Sequence, residues 1–103
     1  MTDRVTNILV AGVGGQGVIL ASDLMADTFL AAGYDVKKSE VHGMAQRGGA
    51  VSSHVRYGEK VYSPIIKMGE ADYLFMTEKM ETLRWLAFGN PSTVIVVDDI
   101  TIN

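Results

Sequence analysis

NILVAGVGGQG, residues 7–17, is the most telling stretch of this chain, because an apolar run typical of a buried strand leads directly into a glycine cluster. Gly12, Gly14 and Gly17 have the spacing G-x-G-x-x-G, and a helix is predicted over residues 18–32. The free N–H groups at the start of such a helix attract an anion, with Gly15 and Gln16 in the same turn. The alternative is that the glycines only let the helix pack closely on the strand.

The predicted helix over residues 18–32 has one apolar face. Its apolar residues recur at steps of three and four and are expected to face the sheet: Val18, Ala21, Met25, Phe29 and Ala32. Ser22, Asp23 and Asp27 are expected on the outer side. Gly33 then stands where a left-handed helix cap belongs.

The remaining pattern predicts a three-layer, Rossmann-like α/β fold with a mostly parallel sheet and a β-hairpin insertion. A strand at 34–38 completes a βαβ unit and should run parallel to the first strand. The hairpin is expected to join 50–57 to 61–63 through a turn at 58–60. Further strands are predicted at 73–76 and 93–97, and Thr77 is expected to cap a helix over 78–88.

The strand predicted at 50–57 alternates between two faces. Val51, Ser53, Val55 and Tyr57 share one of them. Ser52, His54 and Arg56 share the other. That second face either meets the preceding loop or forms an ordinary solvent-exposed strand face.

A second candidate site lies in the stretch SEVHGMAQRGGAV, residues 39–51. It brings together a carboxylate, an imidazole, an amide, a guanidinium and free backbone donors: Glu40, His42, Gln46, Arg47, Gly48 and Gly49. The planar fork of Arg47 suits a phosphate or carboxylate, and His42 could carry a proton. Alternatively, His42 only bridges the loop to its neighbours and Glu40 pairs with Arg47. Both glycine-rich loops are expected at the same edge of the sheet.

Bulk composition excludes several classes of protein. The 103 residues contain no cysteine, so this chain forms no disulfide, thiolate zinc site or cysteine-ligated iron–sulfur cluster. The net charge of −3 argues against nucleic-acid binding, and no apolar run is long enough to span a membrane. A cytoplasmic location is expected, since the first residues do not resemble a signal peptide. Residues 34–67 carry six basic and three acidic side chains, which suits an anionic ligand.

Three segments together resemble one known family: NILVAGVGGQGVILASD, GYDVKKSEVHGMAQRGGAVSSHVRYGEKVYSP and GEADYLF. They are similar to the gamma-type (pyruvate/ketoisovalerate oxidoreductase catalytic) domain of 2-oxoacid:ferredoxin oxidoreductases. Within that family they look most like the beta subunit of the indolepyruvate type. The resemblance covers about residues 7–75. It implies that residues 1–103 are an incomplete gamma-type domain and that the isolated chain is inactive.

The resemblance also implies an activity and its cofactors. Such complexes oxidatively decarboxylate a 2-oxoacid to an acyl-coenzyme A and pass electrons to ferredoxin. Thiamine diphosphate and iron–sulfur clusters are expected on a larger partner subunit, with none of these groups bound by this chain alone. The family's motif positions correspond here to Gly12, Gly14, Gly15, Gln16 and Gly17 in the first loop, and Glu40, His42, Gln46, Arg47, Gly48 and Gly49 in the second.

Two other functions remain open from the sequence. The chain could be a stand-alone nucleotide-binding module that uses the first glycine loop. It could also be a purely structural interaction domain, in which both loops only dock a partner.

Overall fold

The computed structural model describes residues 4–13, 16–42, 50–76 and 86–97. Their elements are five strands, one helix and a short 3-10 turn: β1 (Val5–Val13), α1 (Gln16–Ala31), β2 (Asp35–His42), β3 (Ala50–Gly58), β4 (Tyr73–Met76), the turn Leu86–Phe88 and β5 (Val94–Val97). The strands form one sheet in the order β2-β3-β1-β4-β5. Four strands run in one direction and β3 opposes them. The α/β prediction is therefore confirmed.

The hairpin insertion has different partners from those predicted. β3 is antiparallel to both β1 and β2, so the consecutive strands β2 and β3 make the hairpin. Residues 61–63 form no strand. The two strands of the βαβ unit, β1 and β2, do run in the same direction, but β3 lies between them in the sheet.

Helix α1 covers one face of the sheet. Ile8, Val10, Val51 and Val55 pack there with Val18, and the partly buried Ala21, Met25 and Phe29 of α1 complete the cluster. Gly33 follows the helix with a φ of 97°, which confirms the left-handed cap. The predicted outer position of Ser22 is wrong. This residue is fully buried, and its hydroxyl donates to the Ile19 carbonyl 3.0 Å away.

The opposite face of the sheet is also buried, mainly against the segment 61–71, which forms neither a helix nor a strand. Leu9, Ala11, Leu74 and Met76 pack with Ile66 and Ala71, and Phe88 lies against them. Ser52 and His54 point to this side and are 1% and 5% exposed. The expectation of a solvent-exposed face on β3 is therefore wrong, because the segment 61–71 covers it.

The outer strand β5 is less well covered than the middle of the sheet. β5 pairs only with β4 in the sheet of described residues, and Val94, Ile95 and Val96 are 40–49% exposed. The helix predicted over 78–88 with its cap at Thr77 lies mostly outside the described residues, which retain only the turn Leu86–Phe88. No described helix is both long and apolar enough to cross a bilayer.

Candidate functional site

The flanks of the two glycine-rich loops lie at one end of the strands, where β1 and β2 finish and β3 begins. We call this end of the sheet the candidate edge. Val13, at the end of β1, is the register partner of Ala50, at the start of β3. His42, at the end of β2, is the partner of Val51. The described residues Val13, His42 and Ala50, which adjoin the segments 14–15 and 43–49, therefore lie together at this edge. Six of the predicted site residues lie outside the described residues: Gly14, Gly15, Gln46, Arg47, Gly48 and Gly49.

Two glycines of the first loop differ in their surroundings. Gly12 is buried within β1, opposite Val51. Gly17, in the first turn of α1, is exposed, and a Cβ built on it would meet no atom within 4 Å. Close helix–strand packing does not require a glycine at this position. The open space beside the helix start is therefore available to a group from outside the described chain.

A lysine connects the two elements that lead to and from the loops. The Lys38 ammonium, on β2, donates to the Asp23 carboxylate of α1 and to Glu40 Oε2 at 3.1 Å. The Asp23 carboxylate and then Glu40 hold the pKa of Lys38 above its usual value. This clamp fixes the middle of α1 to the middle of β2. In the sequence, part of this clamp is indicated by the spacing of Lys38 and Glu40, because residues two apart on a strand point to the same face.

The clamp contains two acids whose roles were predicted from the sequence. Asp23 was expected on the outer side of the helix, but it reaches the strand and pairs with Lys38. Glu40 was expected either in the ligand site or paired with Arg47; its carboxylate contacts Lys38. Arg47 lies outside the described residues. This contact does not test the part predicted for Glu40 in the ligand site, which stays a prediction.

Three further residues concern this part of the sheet, and the structure describes the side chain of one of them. Ser53, the register partner of Glu40, is fully buried on the α1 side, and its hydroxyl finds no hydrogen-bond partner among the described residues. For His42 and Gln16 the structure describes only the backbone. His42 ends β2 at the candidate edge and Gln16 begins α1. Their predicted contacts stay predictions.

The second histidine, His54, is held by contacts within the fold. His54 Nδ1 accepts the Ile66 N–H at 2.9 Å, and the Phe88 ring meets the imidazole edge-on with centroids 5.8 Å apart. Burial lowers the pKa of His54, which favours the neutral imidazole that can accept this bond. His54 thus holds the segment 61–71 against the sheet.

Arg56 acts similarly at the far end of β3. Its Nε donates to Asn7 Oδ1 at 2.8 Å, and its Nη1 donates to the Ser63 carbonyl at 2.7 Å. Asn7 Nδ2 in turn donates to the Glu70 carbonyl at 2.8 Å. From the sequence, Asn7 had no expected role beyond starting a strand, because a polar residue before an apolar run carries no signal of such a network.

The donor set present limits which prosthetic groups this chain could hold. With no cysteine it offers no thiolate for an iron–sulfur cluster. The described residues contain no group of three histidine, aspartate or glutamate side chains able to hold a metal ion. An anion at the start of α1 is compatible with the exposed Gly17 and the open space beside it.

Residues 7–102 match the family model described as pyruvate ferredoxin/flavodoxin oxidoreductase. This chain belongs to that family. It is similar to the indolepyruvate oxidoreductase subunit IorB of Archaeoglobus fulgidus, with 45% identity over 92 residues, which are 89% of this chain and 45% of the relative. The subunit of the same name from Methanothermobacter thermautotrophicus is 48% identical over 80 residues, or 78% of this chain and 40% of that relative.

The fold agrees with this family membership. The gamma subunit of a keto/oxoacid ferredoxin oxidoreductase from Geobacter sulfurreducens superimposes with a TM-score of 0.74 and 26% identity, covering 91% of this chain and 50% of that one. The chain therefore spans about half, or slightly less, of the length of these relatives.

Proposed function

We propose that this chain is part of a 2-oxoacid:ferredoxin oxidoreductase of the indolepyruvate type. The proposal depends on one observation above all, the common edge at which both glycine-rich loops leave the sheet. The names of the relatives at 44–48% identity favour an arylpyruvate as the 2-oxoacid. The product would be an acyl-coenzyme A, with the electrons passed to ferredoxin.

The reaction would be shared with a larger subunit. Thiamine diphosphate bound there would supply the carbanion chemistry, and clusters held by cysteines of that subunit would carry the electrons. This chain would contribute an anion site. The N–H groups of Gln16 and Gly17 at the start of α1, together with Arg47, would bind a phosphate or carboxylate of coenzyme A or substrate. The other loop residues would complete the site: Gly12, Gly14, Gly15, Gln46, Gly48 and Gly49.

Within this site Lys38 would act as a positioning group. Its bonds to Asp23 and Glu40 hold the helix that begins at one loop against the strand that leads to the other. His42, at the end of that strand, is the candidate for a contact with the reacting centre. The cytoplasmic location expected from the sequence stays a prediction.

Uncovered apolar surface supports a heteromeric arrangement. Leu20, Leu24 and Leu30 on the outer side of α1 are 55–62% exposed. Together with the exposed valines of β5, they leave more apolar surface open than scattered single residues would. A partner subunit that covers these surfaces would stabilise the chain in the complex.

The proposal is tested by assembling the chain with a thiamine- and cluster-bearing large subunit and measuring reduction of ferredoxin that depends on indolepyruvate and coenzyme A. Arg47→Ala should raise the KM for coenzyme A about tenfold or more, since a charge-assisted contact is lost. Arg4→Ala, before the start of β1 at the opposite end of the strands, is the matched loss of one positive charge and should leave that KM unchanged.

Three outcomes would contradict the proposal. The chain could fail to associate with such a subunit. Calorimetry on the isolated chain could show tight binding of NAD, ATP or FMN in place of coenzyme A, which would favour the stand-alone nucleotide module. Arg47→Ala could weaken assembly while leaving turnover per assembled complex unchanged, which would favour a purely structural role.

A further inference from the structure

A groove lies on the face of the sheet away from α1, at the end of β1 opposite the glycine-rich loops. Its volume is about 290 Å³, and its lining includes three basic side chains, one acid and two exposed apolar ones: Arg56, Lys60, Lys67, Glu70, Tyr62 and Ile65. No residue of the candidate site contributes to it. It is therefore a separate surface of the molecule.

The groove has a net positive charge, since Glu70 is the one acid beside the three basic side chains of its lining. Arg56 donates to two neutral oxygens, Asn7 Oδ1 and the Ser63 carbonyl. Within the described ranges, no carboxylate lies within ion-pair distance of Arg56, Lys60 or Lys67. The lysines of β2, in contrast, are paired with carboxylates. Much of the positive character of residues 34–67 is thus concentrated here, on a chain with a net charge of −3.

Large apolar side chains accompany these cations. Tyr62 is 85% exposed and Ile65 is 46% exposed, and both line the groove. A small inorganic anion would use the cations and leave this apolar surface in water. A polypeptide segment with carboxylates and one apolar side chain would use both.

The part of the groove wall that residues 60–67 form is held in place although this segment contains no strand or helix. The Val61 N–H donates to Asp35 Oδ2 at 2.8 Å, and this bond and then the Lys37 ammonium lower the pKa of Asp35. The Ile66 N–H donates to His54, and the Ser63 carbonyl accepts from Arg56. A groove fixed in this way loses little conformational freedom when it binds a partner.

We propose that this groove docks an acidic segment of a partner polypeptide that carries one apolar anchor side chain. The carboxylates of that segment would lie against Lys60 and Lys67, and its anchor would pack on Tyr62 and Ile65. This proposal does not depend on the reaction proposed above. It concerns the opposite edge of the sheet.

The test uses the full chain and a short fluorescein-labelled peptide in which glutamates flank one phenylalanine, followed by fluorescence anisotropy. The double charge reversal Lys60→Glu with Lys67→Glu should weaken binding at least about tenfold, and binding should weaken with salt. The single reversals Lys60→Glu and Lys67→Glu are compared with Arg4→Glu, which reverses one charge at an exposed residue outside the groove and should change the affinity less than about twofold. Urea midpoints of all variants confirm that each is folded.

Two modified peptides separate charge from anchor. Replacing the glutamates by glutamines, or the phenylalanine by glycine, should each reduce the affinity at least about fivefold. The proposal is overturned if the peptide does not bind, if the double reversal leaves its affinity unchanged, or if Arg4→Glu costs as much as either single reversal. It is also overturned if inorganic phosphate at the peptide's concentration displaces it, since the groove would then be a small-anion site.

Discussion

Replacing Gly17 by alanine should stabilise the fold while damaging the candidate site. Gly17 is helical, its φ is not in the left-handed region, and an added Cβ would meet nothing within 4 Å. Alanine is favoured over glycine in a helix by about 0.5–1 kcal/mol, so the free energy of unfolding should rise by up to about 1 kcal/mol. With a urea m-value of about 1–2 kcal/mol/M, the unfolding midpoint should increase by about 0.3–1 M. Circular dichroism during urea unfolding measures it.

Gly33→Ala is the matched control for this substitution. A Cβ added at Gly33 would also meet no atom within 4 Å, but the φ of 97° at this position costs an L-residue about 1–2 kcal/mol. Its midpoint should therefore fall. If Gly17→Ala lowers the midpoint as well, the glycine serves the chain's own packing and our reasoning is refuted. In the assembled enzyme, Gly17→Ala should raise the KM for coenzyme A, because the methyl group occupies the open space.

Three further predictions concern the buried polar groups. Asn7→Ala should lower the free energy of unfolding by about 1–3 kcal/mol, because the buried Asn7 side chain loses its hydrogen bonds to the Arg56 Nε and the Glu70 carbonyl. Asn7→Asp keeps the acceptor for Arg56 and should lower it less; equal urea midpoints for the two variants would contradict this. Ser53→Ala should change the free energy of unfolding by no more than about 1 kcal/mol in either direction, because its buried hydroxyl has no partner among the described residues; a larger loss in urea unfolding would reveal one. The pKa of His54 is lowered by burial, so the unfolded chain binds its proton first: stability should be complete above about pH 6.5 and fall as the pH drops towards the lowered value. His54→Gln should flatten that part of the pH dependence of the urea midpoint, and an unchanged slope would contradict the assignment.

Local patterns predicted much of the fold from the sequence. The strands around Leu9 and Leu74, helix α1 and the cap at Gly33 each follow from residues that are close together in the chain. The common edge of the two loops also followed, because strands that run in one direction end at the same edge. Such features need no knowledge of distant contacts.

The errors arose where distant segments decide the outcome. The turn signal at 58–60 predicted a hairpin, but β3 pairs with β1 and β2 and is buried on both of its faces. Alternation in β3 could not show that residues 61–71 would cover His54 and Ser52. The network of Asn7 and the bond from Lys38 to Asp23 depend on partners 15–65 positions away, which no local pattern contains.

The site shared with a larger subunit at the loop edge is tested most directly by cross-linking. The chain has no cysteine, so Gln46→Cys and Ser92→Cys each introduce a single attachment point for a short photo-crosslinker. In the assembled complex, the probe at position 46 should cross-link to the thiamine-bearing subunit, and coenzyme A with indolepyruvate should suppress the reaction. The probe at position 92, at the opposite edge, should not respond to these compounds. Cross-linking at position 92 that is suppressed by them, with none at position 46, would contradict the account.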